Sequence, residues 1–263
     1  MLESLDLLVV AVAAVAFFFG GLLKGVIGLG LPLVAIPLVA TVMPVAEAIP
    51  LMVAPGYVMN IIQMRQSWHA RMPLAPWWPL FLGMGLGVVA GVQFATSAPE
   101  ALMRGVLGGT VVGFVLLSFA RIYIPPRHVE NPAAGLTMGG LTGLFGGLTG
   151  VFGPTLAMYF LARRLDKDNF IWIMAVVMFA GVLVLGGSLT AAGEFSRNQL
   201  AGTIAVLLPS WLGLIAGARV RRWVSQDLFR KVALCVLLVM GISLLAASLK
   251  NIHRSDARIM DRG

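Results

Sequence analysis

Charged residues are missing from nine long stretches of this chain, and these stretches restrict its fold more than any other feature of the sequence. Most of them approach the roughly 20 residues that a helix needs to cross a hydrocarbon layer of about 30 Å. Only 11% of the 263 residues are charged, too few to cover the surface of a soluble domain of this size. The pattern predicts an all-α polytopic membrane protein in the lipid bilayer, with about 8–10 transmembrane segments. The stretches without Asp, Glu, Lys or Arg are 7–23, 25–46, 48–64, 72–99, 105–120, 131–162, 169–193, 198–218 and 232–249.

The chain also contains an internal repeat, which indicates two related halves. Four residues of one Gly-rich corner, Gly21, Gly25, Gly28 and Pro32, recur 122 residues later as Gly143, Gly147, Gly150 and Pro154. Further along, Gly87 and Gly91 recur 126 residues later as Gly213 and Gly217. The repeat predicts a first membrane repeat at 1–124, a linker at 125–132, a second membrane repeat at 133–250 and a basic C-terminal tail at 251–263.

Each half divides into five predicted segments. The second segment of each half is short and rich in Gly and Pro, so it either crosses as a broken helix or forms a re-entrant hairpin with the first. In both cases the number of crossings per half is odd, which gives two inverted repeats, as in many secondary transporters. The segments are 6–24, 29–44, 47–65, 75–95 and 101–122, followed by 133–148, 151–163, 169–192, 199–219 and 229–249.

The distribution of basic residues predicts the orientation. Twelve Lys and Arg residues fall in loops on one side, against six on the other side, where the tail lies. The positive-inside rule places the richer side in the cytoplasm and both termini in the periplasm of a bacterial inner membrane. These loops also account for the net charge of +8, so nucleic acid is not an expected partner. The cytoplasmic loops are 65–71, 121–130, 163–168 and 219–231.

The two Gly-rich corners are the leading candidates for a binding site. A Pro after a glycine cluster interrupts the helix, and free amides at the start of a half-helix suit an anion inside a membrane. The alternative is that the small residues only pack helices together. The predicted substrate-binding residues are Lys24, Gly25, Gly28, Gly30, Pro32, Tyr57, Asn60, Gln63, Thr149, Gly150, Gly153 and Pro154. The predicted helix-packing residues are Gly21, Gly143, Gly147, Gly87, Gly91, Gly213 and Gly217.

Polar side chains distinguish the first half from the second. Lys24 lies within the first corner, where it either meets an anionic ligand or extends its ammonium to the membrane surface. Tyr57, Asn60 and Gln63 are spaced by three and share one helical face, either lining the site or holding helices together. Their counterparts in the second half are Phe179, Val182 and Leu185.

Glu47 is the acid at the membrane border that best resembles a carrier of a coupling proton, although a carboxylate at a helix start is also an ordinary cap, which is the favoured interpretation. No metal-ligand spacing, nucleophile elbow or phosphate-binding loop occurs in the sequence. We therefore expect no cofactor and no enzymatic activity.

At the two corners the sequence resembles the TauE/SafE family of sulfite exporters, also called the 4-toluene sulfonate uptake permease family. The resemblance lies in the glycines and prolines quoted above, from Gly21 to Pro32 and from Gly143 to Pro154, and in Pro37-Leu38. It implies transport of sulfite or an organosulfonate across a bacterial inner membrane. This chain has Gly30-Leu31-Pro32 where many members continue with three glycines, which leaves the substrate open.

The expected function is thus secondary transport of a small anion by alternating access between the two repeats, with a proton or sodium ion as candidate coupling ion. A passive anion channel and a non-transporting membrane assembly subunit are the alternatives.

Overall fold

The computed structural model describes residues 2–27, 30–120, 131–220, 234–235 and 237–250. These residues are almost entirely helical and form no strand, which confirms the all-α class. Gly28, the predicted linker up to residue 130 and the tail 251–263 lie outside them. The helices are α1 (Leu2–Ile27), α2 (Leu31–Val39), α3 (Val45–Ala48), α4 (Val53–Gln66), α5 (Trp78–Ser97), α6 (Glu100–Ala120), α7 (Pro132–Thr149), α8 (Gly153–Ala162), α9 (Lys167–Ala191), α10 (Arg197–Ala205), α11 (Leu207–Val220) and α12 (Leu237–Lys250).

Five helical stretches in the described residues are long and apolar enough to cross a membrane, as expected for a polytopic protein. Two of them join consecutive helices: α3 with α4, and α10 with α11. The five stretches are Leu7–Val26, Val45–Gln66, Ala75–Ser97, Asp168–Ala191 and Gln199–Val220.

The second helix of each half is short, as the Gly and Pro content predicts. α2 has 9 residues and α8 has 10. Such helices are about 14–15 Å long, half of the hydrocarbon thickness. Nearly all of α2 is buried, and its start packs against Gly20, so the chain folds back along α1 after the first corner.

Glycines bring α5 and α7 into backbone contact. Any side chain at Gly87 would clash with the carbonyl oxygen of Gly140, and any at Gly91 would lie 2.5 Å from that of Leu144. The contacts advance in the same direction along both helices, so α5 and α7 are parallel. Because lipid supplies no hydrophobic driving force between helices, this close van der Waals contact is the main source of their attraction.

The same contact recurs between α1 and α11. A side chain at Gly213 would meet the backbone of Phe18 and Leu22, the counterparts of Gly140 and Leu144 at the 122-residue spacing. Gly213 is itself the counterpart of Gly87. The repeat in the sequence is therefore matched by a repeated helix contact, while the boundaries 1–124 and 133–250 remain a prediction.

The counterpart helices α4 and α9 pack against each other in opposite directions. Gly186 of α9 lies against Val53, and Val182 lies against Gly56, so the contact moves down α9 as it moves up α4. The rings of Tyr57 and Phe179, which are counterparts, meet edge to face with centroids 5.9 Å apart. Antiparallel packing of equivalent helices indicates that the two halves are inverted, with the pseudo-twofold axis near this ring pair.

A break separates α3 from α4, and Thr203 of α10 satisfies the backbone groups that the break exposes. Pro55 has no amide hydrogen to donate to the carbonyl of Leu51. The Thr203 hydroxyl donates to that carbonyl at 3.0 Å and accepts from the Ala54 amide, also at 3.0 Å. This buried hydroxyl thus ties α10 to the broken helix.

Contacts gather several basic helix ends on one face. His69, after α4, lies 3.5 Å from Asp168 at the start of α9. Arg163, after α8, stacks over the ring of Trp77 at 4.6 Å, beside the start of α5. These are helix ends that the sequence places in the cytoplasm.

Substituting the contact glycine should destabilise the protein, whereas substituting a glycine facing open space should not. Gly87→Ala forces a methyl group into the backbone of α7 and should cost about 1–3 kcal/mol, seen as a lower melting temperature of detergent-purified protein. Gly85→Ala is the matched control, since nothing lies within 4 Å of the added atom. Equal melting temperatures for the two variants would contradict the backbone contact.

Removing the Thr203 hydroxyl should leave the Leu51 carbonyl and the Ala54 amide without this partner. Thr203→Val keeps the shape of the side chain and should cost about 1–3 kcal/mol in thermal unfolding. Thr190→Val is the control, because the Thr190 hydroxyl bonds the Gly186 carbonyl of its own helix. A loss as large in Thr190→Val would show that Thr203 has no special role at the break.

Candidate functional site

The centre of the site is a buried lysine bonded to an asparagine. The Lys24 ammonium, in the last turn of α1, donates a 2.9 Å hydrogen bond to Oδ1 of Asn60 in α4. The two residues are 5% and 2% exposed. Lys24 therefore points into the protein and does not extend to the membrane surface.

No carboxylate balances this ammonium in the described part of the chain. Ion pairs in this part of the chain join His69 to Asp168 and Arg104 to Glu100, and neither of them includes Lys24. A neutral amide oxygen is a weaker partner for a buried cation than a carboxylate, and burial of an unpaired charge is unfavourable by several kcal/mol. The site therefore favours a ligand that carries negative charge.

The starts of both short helices reach the same place. Leu31 and Pro32 of α2 line a cavity next to Lys24, as do Gly150 and Phe152 directly before α8. Neither helix start has a side-chain cap among the described residues. Backbone amides in a first turn without caps are suitable donors to an anion.

The cavity is small and mostly apolar. Its volume is about 10 Å³, room for about one water molecule. Lys24 and Asn60 provide its polar groups, and side chains of α4 and α9 line much of the rest, so it lies between the two halves. The apolar lining includes Met52, Pro55, Met59, Met178, Val182 and Leu185.

The site is asymmetric because, at two pairs of counterpart positions, the larger residue lies in the first half in one pair and in the second half in the other. Lys24 and Gly30 in the first half correspond to Gly146 and Phe152 in the second. The Phe152 ring lies directly against Gly146, where any side chain would clash with it, and is 3.0 Å from a Cβ atom built at Gly181. Phe152 thus fills the space that a second lysine would need.

Of the predicted substrate-binding residues, the structure brings Lys24, Pro32, Asn60 and Gly150 together around the cavity. Gly25 instead packs against the α11 backbone at Leu214 and Ala218.

Gly28 lies outside the described residues, and the remaining predicted substrate-binding residues are not among those that line the cavity. Gly30 adopts φ 111° ahead of α2, a backbone conformation that favours glycine. Tyr57 packs on Phe179, and Gln63 is buried in the turn of α4 after Asn60.

In the second corner, the Thr149 hydroxyl donates to the Phe145 carbonyl and accepts from the Val151 amide, which fixes the chain between α7 and α8. Gly153 and Pro154 form the buried first turn of α8.

The glycines assigned to helix packing all lie against neighbouring backbone. These are Gly21, Gly87, Gly91, Gly143, Gly147, Gly213 and Gly217.

The acid bound at the start of α3 is Glu100. Both of its carboxylate oxygens accept from the Val45 amide at 3.2 Å, and Arg104 binds the same carboxylate at 2.7 Å. Glu47 lies in the first turn of α3 with an exposed side chain. The sequence did not point to Glu100 because its partner helix is 55 residues away.

Sequence reasoning also missed Phe152 and the methionines of the lining. Methionines in an apolar helix resemble any other core residue, so their pattern in the sequence does not indicate that they line a cavity. Phe152 could have been found by comparing residue sizes at counterpart positions. Gly30 of the first half corresponds to the larger Phe152, whereas the large Lys24 corresponds to the small Gly146.

The chain matches a known protein family over most of its length. The family described as sulfite exporter TauE/SafE matches residues 12–244. The chain belongs to the TauE/SafE family. No curated protein and no solved structure matches it. Membership in TauE/SafE and the five apolar spans make it a multi-pass membrane transport protein, and confirm the resemblance seen at the corners.

The bond between Lys24 and Asn60 should be energetically coupled. Asn60→Leu leaves a buried ammonium without its acceptor and should cost about 1–3 kcal/mol in thermal unfolding. In the double variant Lys24→Met with Asn60→Leu, both polar groups are gone, so most of the loss should be recovered. Strictly additive losses in this double-mutant cycle would contradict the pairing.

Proposed function

We propose that this TauE/SafE protein is a secondary transporter for a small anion, either sulfite or an organosulfonate, in a bacterial inner membrane. One observation supports this most strongly: Lys24 is buried beside a cavity, and no described carboxylate neutralises it. An anion entering the cavity would supply the missing negative charge.

The chemistry around Lys24 suits an oxyanion. The ammonium can donate three hydrogen bonds, and its partner among the described side chains is Asn60, so two donors are left for a ligand. Because a lysine can only donate, Asn60 presents its oxygen to Lys24 and keeps its NH₂ group for another acceptor. Together with the amides that begin α2 and α8, these donors would surround several oxygen atoms of one anion.

The position of the cavity supports alternating access between the two repeats. It lies where α4 and α9, counterpart helices of opposite direction, pack together. A volume of about 10 Å³ is too small for a sulfur oxyanion, so binding requires the halves to move relative to each other. A permanently open channel would instead need a continuous polar path, and the cavity walls are apolar.

The proposed orientation places both termini in the periplasm. Arg65 lies at the end of α4 and Arg163 directly after α8, and contacts with the starts of α9 and α5 bring these two helix ends to one face. A proton or sodium gradient is the proposed energy source for transport.

Placing a carboxylate beside Lys24 should strongly reduce transport without unfolding the protein. Asn60→Asp would form an internal ion pair that competes with the substrate, so sulfite flux into proteoliposomes should fall at least about tenfold. Its melting temperature should be equal to that of the wild type or higher. Gln66→Glu, an exposed position at the end of the same helix with the same change of charge, is the control and should transport normally.

Unchanged flux in Asn60→Asp would contradict this site, whereas the absence of sulfite flux in the wild type would favour a non-transporting assembly role. Flux that does not saturate with sulfite and does not respond to an ion gradient would favour the channel.

A further inference from the structure

The charge of the cavity is set by a single residue. Among the described side chains that line it, Lys24 is the charged one, and the rest are apolar apart from Asn60. The net fixed charge of the lining side chains is therefore +1.

Helix dipoles add little to this charge, because each corner contributes two opposed helix ends. α1 ends close to Lys24 where α2 begins, and α7 ends at Gly150 where α8 begins. A helix start carries about half a positive charge and a helix end about half a negative one, so each pair nearly cancels. The amides still donate hydrogen bonds, but Lys24 determines the net charge.

An anion with two charges would leave one of them uncompensated in this apolar cavity. Burial of such a charge is unfavourable by several kcal/mol, since the apolar walls cannot replace its hydration. An anion with one charge would instead match Lys24. The lining thus favours a monovalent ligand.

The size of the ligand is limited by Phe152. Its ring is 1% exposed, lines the cavity beside Lys24 and is held against the backbone at Gly146 and Gly181, where no Cβ atom occupies the space. Removal of the ring would open space on the side of the second half while leaving Lys24 and Asn60 in place.

We infer that the site selects a small monovalent oxyanion, with Lys24 setting its charge and Phe152 setting its size. This inference rests on the proposed function and makes it more specific. Of the two protonation states of sulfite, hydrogen sulfite is the one recognised, and bulky sulfonates are excluded from the wild-type protein.

Three probes separate charge from size when binding to detergent-purified protein is measured by calorimetry at constant pH and ionic strength. Methanesulfonate is small and monovalent, sulfate is similar in size but divalent, and benzenesulfonate is monovalent but bulky. The wild type should bind methanesulfonate at least about tenfold more tightly than either of the others, which corresponds to about 1.4 kcal/mol.

Variants should change the two selectivities independently. Phe152→Ala should bring benzenesulfonate to within about threefold of methanesulfonate, while sulfate remains at least about tenfold weaker. Phe152→Leu, a smaller change in volume, should move benzenesulfonate in the same direction if the alanine variant does not fold. Lys24→Gln should lose methanesulfonate binding in either background.

The possible results separate this inference from the proposed function. Sulfate binding as tight as methanesulfonate binding would overturn the inference that Lys24 selects monovalent anions. Unchanged exclusion of benzenesulfonate in folded Phe152 variants would overturn the inference that Phe152 limits ligand size. Either result would leave an anion site at Lys24 intact. Binding of none of the probes or of sulfite, or full binding in Lys24→Gln, would overturn the proposed function itself.

Discussion

The hydrogen bond between Lys24 and Asn60 is the interaction on which the site depends. It keeps an ammonium buried where the described residues offer no carboxylate, so the fold tolerates a charge that it does not neutralise. Such a buried charge is unfavourable unless a ligand of opposite charge neutralises it. The amide oxygen is sufficient to hold the lysine in place and too weak to satisfy it. Those two properties together suit a site that must both bind and release an anion.

The two halves share equivalent helix contacts, whereas the residues that form the site differ between them. The glycine contacts of α5 with α7 and of α1 with α11 are equivalent, and α4 packs against its own counterpart α9. Within this frame the first half provides Lys24 and Asn60, while the second provides Phe152 in the corresponding volume. In the described part of the chain, the cavity therefore has its charged group on the side of the first half and an apolar wall on the side of the second.

Much of the fold could be predicted because membrane helices require long uncharged runs, and these can be read directly from the sequence. Pro55 marks the break before α4 in the sequence, but its pairing with Thr203 could not be predicted, since 149 residues separate Ala54 from Thr203. At the site, Lys24 and Asn60 stood out as polar residues in apolar surroundings. Gly25 was placed with them by motif alone, although its side of α1 faces α11. The direction in which a helical residue points depends on neighbours that a repeat of glycines does not specify.

The most direct test of an anion site at Lys24 is a structure of the protein with selenite, a sulfite analogue that selenium makes visible by anomalous scattering. We expect one selenium peak between the starts of α2 and α8, within hydrogen-bond distance of Lys24 Nζ, with the two halves moved from their present positions and the Phe152 ring still beside the site. A peak only at the surface, with the bond between Lys24 and Asn60 and the cavity both unchanged, would contradict an anion site at Lys24.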